Sequence, residues 1–102
     1  MSPVVFPPEK WLAFNAENVS AVPDVAGAYQ LLDEEKKVFV IKGVMNLRQD
    51  LEEQLETNEK ARYFIYEEDE MYTKRESEWL QQYLQQYGEL PGGGMDELDD
   101  LF

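Results

Sequence analysis

The chain contains no cysteine and no histidine. That excludes disulfides, thiolate zinc sites and cysteine nucleophiles. It also excludes histidine general bases and Ser-His-Asp triads. Any chemistry must run on carboxylates, tyrosines, lysines or arginines, with a hard cation on oxygen ligands where a metal is needed. Residues of those types punctuate one ordered run. It begins Val22-Pro23-Asp24-Val25-Ala26-Gly27-Ala28-Tyr29, continues through Val38-Phe39-Val40-Ile41-Lys42-Gly43 and closes with Asn46-Leu47-Arg48.

Charge sets the second constraint. Nine basic residues face 22 acidic ones, a formal net charge of -13. Nucleic-acid affinity rests mainly on Lys and Arg neutralising phosphates. A field this negative repels DNA at long range, although salt screens it beyond about 8 Å. Phosphate chemistry would need a local basic groove or a bound divalent ion. The same charge also serves solubility.

The elements that must carry these residues can be read from pattern. A chain of 102 residues, 43% hydrophobic, supports one domain with a modest core. No apolar run approaches the roughly 20 residues of a membrane span. The segment Met1 to Pro8 has no basic region ahead of its apolar residues, so it does not read as a signal peptide, and the expected location is cytoplasmic. Residues 1–24 read as an irregular lead-in packed down by Trp11, Leu12 and Phe14, with Asn15 capping a short helix through Val19.

Residues 27–32 and 37–42 read as a strand hairpin around the polar turn Asp33-Glu34-Glu35-Lys36. The second strand has apolar residues on both faces, which predicts a central, doubly covered position. Asn46 is a good N-cap for a helix from Leu47 to Thr57, whose Leu47, Leu51 and Leu55 form a narrow apolar stripe. Residues 61–66 read as a third strand, which could pair across a dimer if exposed, though nothing in the sequence requires it. A second helix is predicted to start after Thr73, with Thr73 and Glu76 as a capping box and Gly88 as its C-cap. Trp79, Leu80, Tyr83, Leu84 and Tyr87 line one of its faces.

In its order of short motifs, the run from Val22 to Pro91 resembles the GIY-YIG endonuclease family. Gly27-Ala28-Tyr29 stands for the first strand motif, Val40-Ile41-Lys42 for the second, and Asn46-Leu47-Arg48 for the helix start. The resemblance implies an α/β (α+β) fold: a small three-stranded antiparallel sheet with flanking helices in the order β-β-α-β-α. It implies a domain over residues 25–91, after the lead-in and before a glycine linker and acidic tail over 92–102.

It also implies a phosphodiesterase site. Tyr29 would assist the attacking water, Arg48 would hold the phosphate, and a helix glutamate would bind Mg²⁺. Here Gln81 occupies the glutamate position, and Glu78 one turn earlier is the replacement metal ligand. Glu76 is explained by the capping box. Val40 stands where a second tyrosine belongs, and Lys42 where a glycine admits the substrate. Without that chemistry no cofactor is expected; with it, Mg²⁺ is.

After Gly92-Gly93-Gly94 come four carboxylates among Leu98, Leu101 and Phe102. This ending resembles the acidic tails of bacterial single-stranded-DNA-binding proteins and, in Asp100-Leu101-Phe102, sliding-clamp peptides. Those resemblances imply a docking peptide for a protein partner, made by Leu98, Asp99, Asp100, Leu101 and Phe102, in DNA repair or replication. Three functions follow in order: a non-catalytic GIY-YIG-like interaction module, a divergent metal-dependent nuclease, and an acidic DNA-mimic inhibitor whose carboxylates imitate phosphates.

Overall fold

The computed structural model describes residues 10–91. In chain order these form β1 (Leu12–Ala13), α1 (Ala16–Ser20), β2 (Gly27–Leu32), β3 (Val38–Val44), α2 (Leu47–Thr57), β4 (Tyr63–Glu68) and α3 (Tyr72–Tyr87). No described helix is long and apolar enough to cross a membrane.

The architecture grows outward from β2, whose six residues are all buried. Strand side chains alternate between faces. Tyr29 and Leu31 therefore enter one core layer with Val19 of α1, Leu47 and Leu51 of α2, and Phe64 of β4. Ala28 and Leu32 enter the opposite layer with Val38 and Ile41 of β3 and Trp79 and Tyr83 of α3. Thus α1 and α2 cover one face and α3 the other.

The helix ends follow local chemistry. Asn15 accepts from the Asn18 amide at 2.8 Å, and Asn46 accepts from the Gln49 amide at 3.0 Å. Each satisfies an otherwise orphaned first-turn donor. Gly88 ends α3 in the left-handed conformation at φ 76°, which glycine adopts without a side-chain penalty.

Several expectations are corrected. The sheet is four-stranded and antiparallel, in the order β1-β4-β2-β3, not three-stranded. The added strand is Leu12–Ala13, two residues too short to show a periodic pattern. The strand expected at the centre is an edge: β4 returns on the other side of β2, so β3 is covered above and below but paired along one side only. Nor is the third strand free to pair across a dimer, since β1 and β2 flank β4. Finally, α3 begins at Tyr72, with Met71 in the cap position and no side-chain capping bond. Glu76 instead accepts the Gly43 amide of β3 at 3.0 Å, tying the helix to the sheet edge.

Among the described residues, two buried side chains carry polar atoms with no hydrogen-bond partner. Gln30 is fully buried, and neither its amide oxygen nor its nitrogen finds a protein hydrogen bond; the Trp79 indole N–H is likewise unpaired. Leaving such groups unmatched costs about 1–3 kcal/mol each. Gln30→Met, which keeps the volume and removes both polar atoms, is therefore expected to raise the thermal midpoint by roughly 4–8 °C. A lowered midpoint in a melting experiment would mean that the amide is satisfied by trapped water.

Candidate functional site

Tyr29 is the first of the motif residues, and its surroundings decide what it can do. On α2, Leu47 and Leu51 bury the stripe that faces the sheet. Asp50 and Gln54 flank that stripe, a helical turn apart, and so point at the same strand residue. The Tyr29 hydroxyl donates to Asp50 Oδ1 at 2.5 Å and accepts from Gln54 Nε2 at 3.1 Å. Lys42 Nζ, reaching across from β3, lies 3.4 Å from both Asp50 oxygens.

The phenol is fully buried. Burial first, then the carboxylate that accepts its proton, push its pKa well above the ordinary tyrosine value. The hydroxyl thus stays neutral, with its donor and one acceptor position both in use. Such a group holds α2 against the sheet. To act on a water it would first have to exchange both partners.

Arg48 lies at the start of α2, directed away from this cluster. Its guanidinium contacts Asp24 at 3.2 Å and Glu52, one turn on, at 4.0 Å. Asp24 also accepts from the Asn46 side-chain amide, and the Leu47 amide donates to the Val25 carbonyl at 2.8 Å. The loop before β2 therefore fastens the first turn of α2 through both side chain and backbone.

Glu78 lies on the other side of the sheet. It pairs with Arg75 at 3.7 Å, and Arg75 also meets Asp69 at 3.0 Å and Glu67 at 3.4 Å. The Met71 amide and Arg75 hold the Asp69 carboxyl below its ordinary pKa, and Asp69 in turn holds the guanidinium charged. Gln81 is exposed on α3. Tyr29, Arg48 and Glu78 therefore do not converge on one position. The sheet separates Glu78 from Tyr29, and among the described residues no group of three Asp, Glu, His or Cys side chains is arranged to hold a metal. The residues present do not fit a divalent ion shared with Tyr29 and Arg48. Val40 packs against the Tyr29 core layer, adding an apolar wall where a second phenol would stand.

Beside this cluster an open cleft of about 370 Å³ runs between α2 and the start of α3. Asp50 and Glu53 form one wall; Val44, Met45 and Tyr72 form the other. Sequence reasoning overlooked Asp50 and Gln54. Their signal was position alone: both border the leucine stripe and so face whatever the stripe covers. The proposed docking residues Leu98, Asp99, Asp100, Leu101 and Phe102 lie outside the described residues.

No curated protein and no solved structure matches the chain. A family match does extend over residues 7–86, from before the short first strand through nearly all of α3. The chain belongs to that family, described as Domain of unknown function (DUF7508).

Proposed function

We propose that this protein is a non-catalytic domain that uses a GIY-YIG-like frame as a protein-interaction module in the cytoplasm. The observation that carries the reading is the Tyr29 hydroxyl, buried and held between Asp50 and Gln54. The groups that phosphodiester cleavage would need are each committed elsewhere: Arg48 to Asp24 and Glu52, Glu78 to Arg75. A net charge of -13 works against phosphate binding in the same direction. The acidic, apolar ending from Met95 to Phe102 supports a partner in DNA repair or replication.

The test is a cleavage assay with Mg²⁺ or Mn²⁺ on branched, single-stranded and duplex DNA and on RNA. The wild-type chain is expected to cut no substrate faster than Tyr29→Phe does. Metal-dependent cutting that disappears in both Tyr29→Phe and Arg48→Ala would make the protein a nuclease and overturn the reading.

A further inference from the structure

Two large hydrophobic side chains stand out from the surface at the same end of the sheet. Met45 is 75% exposed and Met71 is 62% exposed, and Val25 nearby is 41% exposed. They come from three separate loops, and the backbone brings those loops together. The Leu47 amide donates to the Val25 carbonyl, and the Asp69 amide donates to the Ala26 carbonyl. Gly43 lies so close to the Tyr72 carbonyl that an added Cβ would sit 2.2 Å from it. Met45 and Tyr72 line the same cleft. Isolated exposed apolar residues need no explanation, but several converging from separate loops mark a contact surface. Methionine is suited to that use, since its unbranched, polarisable side chain adapts to a partner.

The surround of this patch is acidic. The nearby cations Lys42, Arg48 and Arg75 are each paired with carboxylates. Glu53, Glu68 and Glu70 have no ion-pair partner among the described residues, against Lys74 as an unpaired cation on the first turn of α3. Glu53 shares the cleft with Met45. A phosphate backbone would be repelled here. A second copy of the chain would bring the same negative charge. A surface that imitated DNA by charge alone would have no use for protruding methionines.

We propose that this end of the sheet is a docking surface for a basic, apolar peptide segment of a protein partner. Met45 and Met71 take its apolar side chains, and Glu53, beside Asp50 in the cleft, takes a lysine or arginine. The proposal rests on the interaction-module reading and names its surface and the chemistry of its partner.

The probe is a synthetic peptide of alternating arginine and leucine, set against an arginine–serine peptide of equal charge. Binding is read by fluorescence anisotropy in physiological salt and mapped by amide NMR shifts on the full chain. The arginine–leucine peptide is expected to bind, with shifts centred on Met45, Glu53 and Met71. Its affinity is expected to fall about tenfold in Glu53→Lys and again in Met45→Gln/Met71→Gln, equivalent to about 1.4 kcal/mol per step. Glu34→Lys, in the turn at the opposite end of the sheet, is expected to leave it unchanged. Melting curves establish that each variant is folded.

Absence of binding, equal affinity for both peptides, or equal weakening by Glu34→Lys would overturn the proposal, the last two by reducing the effect to bulk charge. Nuclease activity would instead sink the non-catalytic function while leaving this titration interpretable.

Discussion

Gly27→Ala is expected to lower stability by about 3 kcal/mol or more, enough to lower the thermal midpoint by roughly 10–20 °C in a domain of this size. Gly27 opens the most buried strand of the sheet. A Cβ there would meet the Glu67 carbonyl oxygen at 2.2 Å and Leu47 Cδ1 at 2.7 Å. The first is backbone of the paired strand β4, and the second is a buried core residue of α2, so neither yields cheaply. Gly27 is thus required by the packing of three elements at one point. Denaturation curves compared with those of Ala26→Gly, one residue outside the strand, check this. A Gly27→Ala variant as stable as wild type would mean that β4 can shift without loss, contrary to its pairing along both edges.

The second large effect is at Tyr29. Tyr29→Phe is expected to cost about 1–3 kcal/mol, because it leaves the Gln54 amide and one lone pair of a half-buried carboxylate without their partner. Adding Asp50→Leu to Tyr29→Phe should cost less than the two single changes together, since they remove the same bond.

A pH dependence accompanies it. Tyr29 is held protonated in the fold, above the ordinary value of 10.0. Its contribution is therefore complete below about pH 10 and is lost as the pH rises further, because the unfolded chain then releases a proton that the folded chain retains. Tyr29→Phe should flatten the fall in stability above pH 10. Part of the slope should remain, since burial also raises the Tyr83 pKa. An alkaline slope left unchanged by Tyr29→Phe would show that the Tyr29 hydroxyl is accessible enough to ionise in the fold, and would reopen the catalytic alternative.

How much of this was legible in the sequence varies from residue to residue. The helix from Leu47 to Thr57 was readable to the residue, because Asn46 caps it and its leucines repeat every turn. The hairpin was readable because its turn is polar and its strands are not. The position of β3 at an edge was not, because a pattern of apolar residues reports coverage of the two faces and says nothing of the two sides. The Glu76 side chain could cap its own helix or the amide of a neighbouring strand, and only the approach of Gly43 to Tyr72 selects the second.

The candidate site divides in the same way. Tyr29, Arg48 and Glu78 were singled out only by the resemblance to the GIY-YIG family. That the sheet separates Glu78 from Tyr29 and Arg48 depends on which face each element packs, which is a tertiary fact. Asp50 and Gln54 looked like solvated members of an acidic helix until a buried phenol was placed opposite them.

The two-residue strand Leu12–Ala13 bears on how the protein misbehaves when damaged. It pairs with Tyr63 and Phe64, and the Phe14 amide adds a bond to the Arg62 carbonyl at 2.9 Å. Beneath that short cover runs Tyr63-Phe64-Ile65-Tyr66, an uncharged stretch rich in aromatic and branched residues with no proline. Such a stretch, once its backbone is bare, is a template for cross-β stacking. Arg62 flanks its near end and Glu67 and Glu68 its far end, so charge borders the stretch without covering its backbone edge. A nick between α1 and β2 would free the strand that covers the edge of Tyr63 and Phe64, and the expected fate of the remainder is aggregation ahead of simple unfolding.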